Sequence, residues 1–256
     1  MVGELLEEGR VLHELLTDHM RPQWRQRPLE ILIVDNASLD ARAADHAGCD
    51  CMYTFRGALE NIYGTMLGLL STPTFFPAIG EVKNEVRPQN LPGGRFPPVP
   101  LLRNLSDADR RRRLFLPNDQ TRVTLARILA GLALEFLIFH EIGHIVGGHL
   151  ELPRNSRRLS TIAETQYAIN TPDDSVLQHV LECDADAFAC DVTFSLHTHE
   201  KTAVRMRDLV KAAEWQSKDF ALLTYLLTLR SVMQLLRDGQ AASSRQITAS
   251  GNLGKL

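Results

Sequence analysis

The feature that most constrains this chain is an apolar stretch, residues 123–139, that runs straight into His140, Glu141, Ile142, Gly143 and His144. Its most apolar part, residues 128–139, carries a single charge, Glu135. A run of that kind has to be shut away from water, and beyond about ten residues a helix is the favoured form. A membrane span needs about twenty apolar residues, so the run reads as a buried core helix and no membrane span is expected. On a helix the imidazoles of His140 and His144 stand about 40° apart around the axis and one turn apart along it, so both can hold one ion. Glu141 lies about 100° round from His140, where its carboxylate can reach a water on that metal without becoming a ligand. It is placed as a general base. Asn118 or Asp119 is the expected N-cap of this helix, which should end near Gly147.

A second helix supplies what two histidines lack. Thr171, Pro172, Asp173 and Asp174 form a helix start, with Thr171 as N-cap, Pro172 as first helical residue and Asp174 as the reciprocal capping acid. Downstream, Glu182 and Asp186 are four apart and share a face. Glu182 can bind the metal while Asp186 accepts the remaining ring N–H of a liganding histidine. His149 is the alternative third ligand. On a continuing helix it faces about 140° away from His144, unless Gly147 and Gly148 break the helix and swing it back, so Glu182 is preferred.

These residues resemble a family. HExxH on one helix followed by ExxxD on another looks like the gluzincin group of zinc metallopeptidases. The fuller wording, HEIGHIVGGHL and then ECDADAFA, is similar to the phage-exclusion peptidase Lit family, to ImmA-type regulatory proteases and to the soluble core of HtpX-like peptidases. The likeness covers roughly residues 120–195, the N-terminal half only vaguely. It implies zinc on His140, His144 and Glu182, Glu141 as catalytic carboxylate, Asp186 as supporting acid and a zincin-like core with two metal-bearing helices. A third histidine at the metzincin position is missing: Leu150 stands there.

Zinc held by three protein groups leaves a fourth position for water and suits peptide hydrolysis. The oxyanion then needs a second donor, for which His179, His197 and His199 are candidates, each also readable as a surface or capping histidine. The expected function is a soluble zinc endopeptidase acting on a protein or peptide, with a regulatory protein partner as a further possibility. A zinc hydrolase of small molecules or modified peptides, and a partner-binding domain with structural zinc, stay open. Glu141 argues against the last, since a closed structural site has no use for such a base.

With 256 residues, 44% of them hydrophobic, the chain suffices for one substantial domain or two small ones. A net charge of -3 offers no electrostatic footprint for nucleic acid. The run Arg110 to Arg113 reads as a solvated turn, and so do Arg154, Arg157 and Arg158, unless they select acidic substrate residues. The N-terminus lacks the uninterrupted apolar core of a secretory signal, and the protein is expected in the cytoplasm. The four cysteines, a C-x-C pair at Cys49 and Cys51 with Cys183 and Cys190, fit a reducing compartment and buried thiols.

The fold class expected is mainly α, or α+β with a small sheet. Helices are read at 4–20, 57–71, 202–213 and 220–236, and a strand at 29–34, a candidate edge for receiving extended substrate. Gly64 and Gly68 suggest a close-packing face. Residues 72–77 and 88–100 are too rich in Pro and Gly for regular structure and mark a surface excursion or lid. Residues 149–170 form a polar connector over the cleft mouth. Three regions result: 1–118 packed on the core, a metallopeptidase core at 119–238, and a mobile tail at 239–256.

Overall fold

The computed structural model describes residues 27–46, 48–85, 116–150, 161–163 and 172–198. Its elements are β1 (Leu29–Val34), β2 (Ala41–His46), β3 (Cys49–Phe55), α1 (Arg56–Leu70), a 3-10 turn (Val82–Asn84), α2 (Gln120–Val146), β4 (Thr161–Ala163) and α3 (Pro172–Thr198). Among the described residues the class is mixed, three α-helices and one small sheet, as the α+β alternative holds. Helices read at 4–20, 202–213 and 220–236, the excursion at 88–100, the arginine run and the C-terminal tail lie outside the described residues.

The sheet runs β1-β3-β2-β4. β1 lies parallel to β3, Leu29 opposite Asp50, and β2 pairs antiparallel with β3 and with β4. β1 carries the β-branched, apolar signature of a strand along its whole length. β2, with sequence ARAADH, has alanines and charges of low strand propensity, and it is a strand because both its edges are paired. β4 corrects the reading of 149–170 as connector alone: Thr161, Ile162 and Ala163 register against Ala44, Ala43 and Arg42. β1 is one outer strand of the sheet and β4 the other.

α2 is the central element. It packs on α1, on α3 and on β2 and β3. Asp119 caps it, its carboxylate accepting from the Arg122 backbone N–H at 3.0 Å, and Gly147 ends it. At 27 residues it is longer than the apolar run alone indicates, and by length and composition it meets the requirement of a membrane-crossing helix. In the fold, 72% of that apolar window is buried, with Leu125, Leu129, Phe136, Leu137 and Ile142 in the core.

Residues 72–77 have no regular structure, as expected, and neither have 78–81, but they are not merely a surface excursion. Arg122, fully buried in the first turn of α2, donates to the carbonyls of Leu70, Thr72, Phe75, Phe76 and Ile79 at 2.6–3.1 Å. The five N–H donors of one guanidinium thus saturate a stretch of backbone that has no ladder of its own. Glu85, 3.7 Å from the same guanidinium, accepts from the backbone N–H groups of Asn118 and Asp119. That exchange pins the start of α2.

Candidate metal centre

α2 and α3 cross where both carry small residues. A Cβ added to Gly143 would stand 3.1 Å from the Ala185 Cα and 3.2 Å from a Phe188 ring carbon, and Ala185 and Ala189 are fully buried. The absence of a side chain at 143 therefore sets how near the helices come. Ala185 sits at the contact, and the residues on either side of it, Asp184 and Asp186, project about 100° to opposite flanks. Glu182, one turn earlier, faces α2 between them.

Four side chains meet there. The Nε2 atoms of His140 and His144 are 3.1 Å apart. Glu182 reaches both, Oε2 at 3.3 Å from His140 Nε2 and Oε1 at 3.7 Å from His144 Nε2. His140, His144 and Glu182 thus form a group able to hold a metal ion. Asp186 accepts from His140 Nδ1 at 2.9 Å. Glu141 is buried on the same helical turn as His140.

Comparison with family models, with curated proteins and with solved structures returns no match. The arrangement has to be read from its own chemistry.

His149 is the residue the motif under-specified. After α2 the chain turns through Gly148, whose φ of 74° lies in the left-handed region that favours glycine, and a Cβ on Gly147 would come within 2.5 Å of His149 Nε2. The two glycines do swing His149 back. It does not join His140, His144 and Glu182 but stands behind His144, Nδ1 to Nδ1 at 2.9 Å, with its own Nε2 2.9 Å from Asp184 Oδ2. Asp184 was not anticipated.

Of the candidate oxyanion donors, His179 is exposed, its ring 3.8 Å from the Cys183 thiol on the same helix. Nothing places it beside the histidine pair. The His197 side chain and His199 lie outside the described residues. The cysteines are all free, but buried thiols hold only for Cys51: Cys49 and Cys190 are half-buried and Cys183 is exposed on α3. Burial pushes the Cys51 thiol up.

Charge follows geometry. Burial pushes the His144 imidazole below its ordinary range, although the Glu182 carboxylate pulls it back, and burial likewise lowers His149 against the pull of Asp184. Both rings are neutral near pH 7. For Glu182 burial works upward, yet the facing His140 and His144 imidazoles outweigh it and hold the carboxyl well below the usual carboxylate range. The site therefore offers an ionised carboxylate and a neutral His144 imidazole, the protonation states that metal ligation needs.

Proposed function

We propose that this protein is a zinc-dependent peptidase of gluzincin type. The observation that carries the reading is the spacing of His140 Nε2, His144 Nε2 and the Glu182 oxygens at 3.1, 3.3 and 3.7 Å. With metal–ligand bonds of about 2.0–2.1 Å, donors at the corners of a tetrahedron are about 3.3–3.4 Å apart, so the three fit one small cation. Two imidazoles and one carboxylate are also a donor set that zinc takes in catalytic sites. Asp186 supports the assignment: an ionised carboxylate only accepts, so the His140 proton sits on Nδ1 and leaves the Nε2 lone pair toward the site. Bound zinc would supply Lewis acidity and a water of pKa roughly 7.

The chain's own chemistry then rests on Glu141. It takes the proton of the attacking water and returns it to the leaving amine, the general base becoming the general acid. Its place in a core turn of α2 keeps competing water away from that carboxylate. A protein or peptide substrate fits this reading, and four free cysteines agree with a reducing compartment such as the cytoplasm.

The test is direct. Purified protein should carry one zinc per chain, and Glu141→Gln should keep that zinc while turnover falls about 10²–10⁴-fold, the usual worth of a general base. Turnover is read as new protein N-termini in cells expressing the wild type against the variant. Equal sets of N-termini from the two would sink the peptidase assignment.

A further inference from the structure

We infer that His149 and Asp184 are positioning residues for His144, locking it in the tautomer whose bare Nε2 faces the metal; this rests on His140, His144 and Glu182 being the metal-binding set. Asp184 is 66% exposed, and an ionised carboxylate has no proton to give, so its 2.9 Å contact requires that His149 donate from Nε2. A neutral imidazole protonated at Nε2 is bare at Nδ1. His149 Nδ1 can then only accept, and the facing His144 Nδ1, 2.9 Å away, has to be the donor. With its proton on Nδ1, His144 is bare at Nε2, the atom 3.1 Å from His140 Nε2 and 3.7 Å from Glu182. The polarity of one exposed carboxylate is thus handed through two rings to the metal-facing nitrogen.

His140 gets the same result in one step, from Asp186. Both ligand histidines are therefore oriented by acids of α3, one directly and one through His149. A mere packing role for His149 would need the room beside Gly147 and the turn at Gly148, but neither an acid at the far nitrogen nor a ring nitrogen set against His144 Nδ1. Partners of ligand histidines commonly matter 10–100-fold in metal affinity.

Two measurements on the full chain test this: ring ¹⁵N–¹H correlation spectra, which report each histidine's tautomer, and the zinc dissociation constant from competition with a chromophoric chelator. The metal-free wild type should show His149 protonated at Nε2 and His144 at Nδ1. His149→Phe, which keeps an aromatic ring but no ring nitrogen, should weaken zinc binding about 10–100-fold and leave His144 a mixture of tautomers. Asp184→Ala should act in the same direction, while Asp184→Asn, whose side-chain oxygen still accepts, should recover most of the affinity. The proposal is overturned if wild-type His149 carries its proton on Nδ1, or if His149→Phe binds zinc as tightly as wild type with His144 unchanged. Should His149→Phe fail to fold, Asp184→Ala decides alone, and unchanged affinity and tautomers there overturn it too. A wild type that binds no zinc defeats the metal assignment, while the tautomers of the metal-free protein still decide this one.

Discussion

His144 and His149 are neutral in the folded chain because burial penalises their charged forms. Released on unfolding, each returns to its ordinary value of 6.5 and takes up a proton below it. In the interval from 6.5 down to the folded values the unfolded state binds more protons, so stability falls with falling pH. Glu182 acts lower down: its folded value lies below its ordinary 4.5, and its contribution is present above 4.5 and lost as pH drops beneath it. The thermal midpoint of the metal-free protein should accordingly be flat between about pH 7 and 8, decline from near 6.5, and decline further below 4.5. A midpoint that rises on acidification from 7 to 5 would contradict these burials. At this scale the histidine pair and Glu141 were readable at once, because their relation is set by helix pitch. Asp184 was not, because its partner lies on another element and only the turn at Gly148 brings the two together.

At the scale of elements, the crossing of α2 and α3 depends on Gly143. A valine there would drive methyl groups into the Ala185 backbone and Phe188, prying the histidines from Glu182. Gly143→Val should cost about 1–3 kcal/mol in denaturant unfolding and weaken zinc binding, where the same change at an exposed helical position would do neither. Arg122 joins α2 to the irregular stretch after α1. Arg122→Lys keeps the charge but has three donors in place of five and no planar fork, so carbonyls between Leu70 and Ile79 lose their partners. It should destabilise by about 3 kcal/mol, read from chemical unfolding, without changing zinc stoichiometry. β1 and the start of α3 at Pro172 match the local signals, and α1 lies within one residue of the periodicity. β2, β3 and β4 were missed: β2 owes its strand character to pairing on both edges and not to propensity, while the strand-favouring residues of β3 and β4 form runs too short to stand out.

For the molecule as a whole, the proposed metal bridges two helices that the chain separates by a long connector. An ion bound only by the folded state stabilises by about 2.7 kcal/mol at a hundredfold excess over its dissociation constant. At roughly 2–4 °C per kcal/mol for a chain of this size, added zinc should raise the thermal midpoint by about 5–10 °C. A chelator should reverse the rise, and Glu182→Gln should abolish most of it.

By itself the sequence determined the parts whose geometry is local: an apolar helix starting after Asn118 or Asp119, two imidazoles one turn apart with Glu141 on their flank, and a second helix bearing Glu182 and Asp186 on a shared face. The tertiary structure alone decided that Glu182 meets the histidines, that His149 backs His144 onto Asp184, and that Arg122 feeds its charge to five carbonyls. The physical reason is one of range. Helix pitch fixes which side chains share a face over a few residues, whereas contacts between elements depend on how closely backbones approach, and here two small residues, Gly143 and Ala185, set that distance.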